Sequence, residues 1–186
     1  SPDGKNLASA SADNTVRLWN LASGASNTLS AHDSDVWGIA FSPDGKSLLT
    51  GGEDNIINVW NALTGEHIKA LTEHSQAILD LAFSHNGKLL ASGGDDYTIK
   101  IWDTTHWQVI NSLEDDSYSI YDLTFSHDDS FLVSGGRDKN LLAEFFQYHW
   151  QYESDENDIT VRIWDVKTGK VLQRLNGHTN DVSNVN

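Results

Sequence analysis

The chain repeats itself, and that constrains its fold more than any other feature. Ser1-Pro2-Asp3-Gly4-Lys5 returns as Ser42-Pro43-Asp44-Gly45-Lys46, and in looser form as Ser84-His85-Asn86-Gly87-Lys88 and Ser126-His127-Asp128-Asp129-Ser130. A second marker, an aliphatic residue followed by Trp and then Asp or Asn, falls at Trp19, Trp60, Trp102 and Trp164, spaced 41, 42 and 62 residues apart. Three units therefore share one length and the fourth carries about 20 extra residues. A unit of about 42 residues cannot bury both faces of its own sheet, so its stability must come from neighbouring copies.

Each unit reads as four short strands. Trp37, Ile39 and Phe41 alternate with Val36, Gly38 and Ala40, a period of two with one bulky face, one small face and no polar one. A strand apolar on both sides sits inside a stack of sheets, so 36–41 is expected innermost. The Ser-Pro-Asp-Gly turn follows, then strands near 47–50 and 56–61, then a polar and hence outer strand at 67–71.

These features occur together and in register: a His or Gly-His start, a Phe-Ser-Pro-Asp-Gly turn, a Ser/Thr-Gly-Gly-x-Asp turn and an aliphatic-Trp-Asp end. In this the chain resembles WD-repeat β-propeller blades, over essentially its whole length except the insertion. The resemblance implies an all-β propeller of four-stranded antiparallel blades, with four blades' worth in a single unit over 1–186. The repeats run approximately over 1–31 with 178–186, 32–73, 74–115 and 116–177. It also implies that a hydrogen-bonded tetrad of His, Ser or Thr, Asp and Trp pins each blade. His32, Thr50, Asp54 and Trp60 fall at those positions in the second unit, and His74, Ser92, Asp96 and Trp102 in the third. The first unit has Ser9, Asp13 and Trp19 without a preceding His, and His178 in the last segment supplies one. A buried neutral His donates to a carboxylate and accepts from a hydroxyl, leaving no polar group unpaired. His, Ser and Asp also compose a nucleophilic triad, but an active site is built once per domain, whereas this set recurs from blade to blade.

The fourth unit departs from the pattern twice. Asp116 stands where the tetrad His is expected, and Ser134-Gly135-Gly136-Arg137-Asp138 is followed by Trp164 only after the 139–157 insertion, so Asp138 and Asp158 both remain candidates for the turn Asp. By the resemblance, the insertion lengthens the loop between second and third strands, on a face used for partners. Phe146, Tyr148, Trp150 and Tyr152 alternate with polar residues as in a strand, while Leu141, Leu142, Phe145, Phe146, His149 and Trp150 would line one side of a helix. The segment reads either as a partner-binding or self-associating element or as a flap folded over its own blades. The acidic run 153–158 lacks the alternating ligands and Gly of a calcium loop.

The resemblance also places three positions of each blade at the mouth of the central channel. They hold Trp37, Leu79, Tyr121 and Ser183; Asp35, Ala77, Ser119 and Asp181; and Ala12, Glu53, Asp95 and Arg137. Aromatic anchors flanked by acids suit a Lys or Arg side chain. Trp37 and Tyr121 also alternate with Ile39 and Leu123, which is the pattern of ordinary blade packing.

Charge narrows the partners. With 12 Lys and Arg against 27 Asp and Glu, the net charge is −15, which disfavours nucleic acid and anionic membranes and favours a basic protein or peptide. The chain has no Cys, hence no disulfide, thiolate catalysis or cysteine-ligated zinc, and no phosphate-cradling loop or zinc-spaced His pair. No apolar run reaches the length of a membrane span. These features point to a soluble cytoplasmic protein without metal or cofactor. The reading is a non-enzymatic protein-interaction scaffold. Its alternatives are a self-assembling or engineered half-ring without a ligand, and a propeller enzyme or small-ligand binder using the channel. Laying 186 against 1 with one residue between them restores a spacing of 42. The chain is accordingly expected to form a homodimer closing an eight-bladed ring, or to be a fragment of a larger propeller.

Overall fold

A computed structural model describes residues 1–114, 118–138, 160–178 and 181–185. Among the described residues every regular element is a β-strand, and the strands form four consecutive antiparallel sheets. The first holds β1 (Asn6–Ala10), β2 (Val16–Asn20) and β3 (Ser26–Leu29). The second holds β4 (Val36–Phe41), β5 (Ser47–Gly52), β6 (Ile57–Asn61) and β7 (His67–Leu71), and the third β8 (Ile78–Phe83), β9 (Leu89–Gly94), β10 (Thr98–Asp103) and β11 (Gln108–Glu114). The fourth holds β12 (Tyr118–Phe125), β13 (Phe131–Asp138), β14 (Thr160–Asp165) and β15 (Val171–Asn176). In each sheet sequential strands are neighbours, so each is a meander.

The inner strand of every four-stranded sheet carries a bulge. β4 pairs Val36 with Gly52 and then Gly38 with Gly51, which leaves Trp37 as the extra residue. Leu79 is skipped in the same way between Ile78 and Asp80, and Tyr121 between Ile120 and Asp122. The Gly-Gly pair of the facing strand makes room for this geometry. A Cβ on Gly52 would lie 2.3 Å from the Asp35 carbonyl oxygen, and one on Gly51 would lie 2.6 Å from Ile78 Cγ2 of the next sheet. One glycine therefore admits the bulge, and the other admits the neighbouring blade.

The core lies in the seams between sheets. Val16, Leu18 and Leu29 of the first sheet pack on Val36, Leu48 and Trp60 of the second. Ile57, Val59 and Leu71 pack on Ile78, Leu90 and Trp102, and Ile99, Ile101 and Leu113 on Ile120, Leu132 and Trp164. Burying one such aliphatic side chain is worth roughly 1.5–3 kcal/mol, and each seam gathers several from both sides.

The first sheet has three strands, because no inner strand pairs with β1. Residues 181–185 lie instead beside the fourth sheet, where Val182 N–H donates to Gly136 O at 3.1 Å, as Val36 N–H donates to Ser11 O at 3.2 Å. The segment thus occupies the place of the inner strand of a further blade.

Candidate functional site

In the second blade, Trp60 Nε1–H donates to Thr50 Oγ1 at 2.9 Å, and Thr50 Oγ1 lies 2.7 Å from His32 Nε2. His32 Nδ1 lies 2.9 Å from Asp54 Oδ2. A hydroxyl already accepting from Trp has its own proton for His32 Nε2, so the ring carries its hydrogen on Nδ1 and gives it to Asp54. The third blade repeats the chain: Trp102 to Ser92 at 2.8 Å, Ser92 to His74 at 2.6 Å and His74 to Asp96 at 2.8 Å. Burial works against the Asp96 charge, but hydrogen bonds from His74, the Thr98 hydroxyl and Ser75 N–H outweigh it and hold the carboxyl well below the usual range. Both imidazoles are enclosed and every polar atom of the chain is engaged, an arrangement that fixes loops and offers no access to a substrate.

The outer two blades keep only part of this network. Trp19 Nε1–H donates to Ser9 Oγ at 3.0 Å, yet Ser9 is exposed and Asp13 turns to the Thr15 hydroxyl at 2.6 Å. His178 is exposed and makes no hydrogen bond to Ser9 or Asp13, so the structure does not bring it to the first blade. In the fourth blade Trp164 Nε1–H donates to Ser134 Oγ at 2.9 Å, and Arg162 is buried at the position that Asn58 fills in the second blade. Asp116 and Asp158 lie outside the described residues, as do Phe146, Tyr148, Trp150 and Tyr152 and the rest of the insertion.

The bulges build the face that the resemblance assigns to the channel mouth. Trp37, Leu79 and Tyr121, freed from pairing, line with Ser183, Ala77, Glu53 and Asp95 one concavity of about 450 Å³. A bulge redirects the side chain it frees, and here three of them converge. Glu53 and Asp95 are carried to the rim because their N–H groups bond the carbonyls of Asp35 and Ala77, each at 2.9 Å. Asp35 thus contributes its backbone to the rim, while the Arg137 side chain lies outside the described residues. Trp37 is 51% exposed, which sets it apart from the enclosed tryptophans of the seams.

Sequence reasoning missed the two carboxylates next to the bulges. Asp80 Oδ2 accepts the Leu123 N–H of the next blade at 2.7 Å, and Asp122 accepts the Val185 N–H in the same way. Burial pushes Asp80 up to about 6; N–H bonds from Leu81 and Leu123 oppose that rise, and the neighbouring Asp122 carboxylate adds to it. The signal was present: Ile78-Leu79-Asp80-Leu81 and Ile120-Tyr121-Asp122-Leu123 place one acid inside an otherwise apolar inner strand, 42 residues apart. Among the described residues no cluster of three or more His, Cys, Asp or Glu could hold a metal ion, and no helix is long and apolar enough to cross a membrane.

Antiparallel meanders joined through repeated seams and pinned by Trp-hydroxyl-His-Asp chains define an all-β protein of propeller-type blades. Residues 1–20, 24–61, 65–103 and 107–142 each match the family described as WD domain, G-beta repeat; together they make up more than half the chain, which therefore belongs to the WD40 repeat family. No curated protein sequence matches it. Domains of this family typically mediate protein interactions and are generally non-catalytic scaffolds.

Proposed function

We propose that the protein is a non-enzymatic scaffold that holds a protein or peptide partner at the channel mouth. A basic side chain of the partner sits between Trp37 and Tyr121 and is countered by Glu53 and Asp95. The observation supporting this reading is the composition of the mouth: two aromatic rings and two carboxylates around about 450 Å³, with no basic residue among the described lining side chains. A cation over an aromatic face is worth roughly 0.5–2 kcal/mol, more as water is excluded, and the carboxylates add charge-assisted hydrogen bonds. The rigid sheets hold these groups in place before the partner arrives, so little ordering is needed on binding.

Calorimetric titration with short peptides carrying one Arg or Lys, against matched peptides carrying Gln, tests the reading. The basic peptides are expected to bind about tenfold more tightly, a difference of about 1.4 kcal/mol. Trp37→Ala and Glu53→Lys should each remove most of that preference. Equal binding of the Gln peptides, or unchanged binding by both variants, would overturn it.

A further inference from the structure

The mouth residues Leu79 and Tyr121 are each followed by an acid, Asp80 on β8 and Asp122 on β12. These two acids meet across the seam between the third and fourth blades. Asp80 Oδ2 accepts the Leu123 N–H at 2.7 Å, and the Asp122 carboxyl is hydrogen-bonded to that of Asp80. Ionised carboxylates only accept, so a hydrogen bond between two of them requires a proton on one. The pair is confined to this seam. In the second blade the corresponding residue is Gly38, where an added Cβ would lie 3.1 Å from Leu81 Cγ and 3.3 Å from Asp80 Cα.

Among the described residues no ion pair involves either acid, and the strands packed around them bring no cation to them. β9 sets Gly93 opposite Asp80, β13 sets Gly135 opposite Asp122, and β4 packs Gly38 against Asp80. β10 sets Ile99 in the row of Gly93, with Lys100 one residue further on, opposite Ser92. The 181–185 segment gives Asp122 the Val185 N–H. The charged residues that flank these elements, Asp35, Glu53, Asp95 and Asp181, are all acids, and the side chains of Arg137 and Asp138 on β13 lie outside the described residues. Burial pushes Asp80 up from 3.8 to about 6, against the N–H bonds from Leu81 and Leu123, and the Asp122 charge adds to the rise.

We propose that Asp80 and Asp122 form a proton-dependent latch between the third and fourth blades, which holds the backbone behind Tyr121 and so the aromatic wall of the mouth. The bulge interrupts the ladder at Tyr121, and the Asp80 bond to Leu123 N–H, two residues on, ties β12 to β8 where its own sheet holds it least. With one proton between them the carboxyls bond to each other and the latch is closed. With both ionised, like charges face each other without a countercharge, and β12 loosens from β8 at the bulge. The closed latch binds its proton more tightly than an opened one. Opening therefore becomes easier as pH rises from 3.8 to about 6 and changes no further above that. The latch belongs to the seam and acts whatever the mouth binds.

Hydrogen exchange of the Leu123 amide, followed by NMR against amides of the second blade, tests the latch directly. In the parent chain Leu123 protection is expected to be roughly tenfold lower at pH 7.5 than at pH 4.5, and the Tyr121 ring signals are expected to move with a midpoint near pH 6. Asp80→Asn keeps an oxygen for the Leu123 N–H and cannot ionise, and Asp122→Asn offers Asp80 a donor that does not titrate. Both variants are expected to show Leu123 protection and Tyr121 signals that pH leaves unchanged over this range. Equal protection of Leu123 at the two pH values in the parent, Tyr121 signals that do not move with it, or the parent's pH dependence retained in both variants would overturn the proposal. None of these measurements uses a partner, so their failure is distinct from a failure of basic peptides to bind.

Discussion

Asp80 and Asp96 are both carboxylates at blade seams, yet they depend on pH in opposite senses. Asp96 is held below its ordinary value, so it stabilises the fold above the unfolded-state pKa and that contribution is lost as pH falls toward its folded-state pKa. Asp80 is raised from 3.8 to about 6, so the folded chain holds a proton there that the unfolded chain has released. Between those two values its contribution therefore grows as pH falls, and at neutral pH the buried charge is a liability. Asp80→Asn keeps an oxygen for the Leu123 N–H and removes the charge beside Asp122. The variant is expected to be more stable than the parent by about 1–2 kcal/mol at pH 7.5, with most of that gain gone at pH 4.5. Urea midpoints at the two pH values measure this, and a variant less stable at pH 7.5 would contradict the assignment. At this scale the sequence pointed to the His32 and His74 networks, since both sit at the same offsets from a Trp; it also offered His178 to the first blade, which the structure does not bring there. It concealed the role of Asp80, because the partner of that acid is a backbone N–H in another blade.

Turns show how an element adjusts to its neighbour. Below the first two seams a proline packs on a glycine turn: Pro2 Cδ lies 3.7 Å from where a Cβ of Gly45 would be, and Pro43 Cδ 3.6 Å from that of Gly87. At the third seam both residues change together. His85 takes the proline position and so brings an N–H that proline lacks, and Asp129 takes the glycine position at φ 60°. The Asp129 carboxylate accepts His85 N–H at 2.6 Å and Asn86 N–H at 2.9 Å, so the new donor and the new acceptor satisfy each other across the seam. A left-handed Asp costs roughly 1–2 kcal/mol, which these two bonds offset. In a double-mutant cycle, His85→Pro and Asp129→Gly are expected to couple by about 1 kcal/mol, the double variant being more stable than the sum of the singles implies. Additive denaturation free energies would mean that the exchange is coincidental. Strand order and turn positions were legible because period-two patterns and Gly-containing turns are local signals. Left-handed Asp129 and Trp107, the latter at φ 54°, were not, since neither residue type announces that conformation. The bulges were hidden too, for a bulge is a property of two strands; only the Gly-Gly pair hinted at the crowding they create.

The whole molecule carries a net charge of −15, and this favours a basic partner at the proposed mouth. There the attraction between Glu53, Asp95 and a basic partner is weakened as salt shortens the screening length from roughly 10 Å at 0.1 M to roughly 3 Å at 1 M. Raising the salt from about 0.05 M to about 0.5 M is therefore expected to weaken basic-peptide binding by about tenfold. Titration calorimetry at the two salt concentrations measures this. Binding that salt leaves unchanged would mean that the mouth holds its partner by apolar contact and not by charge.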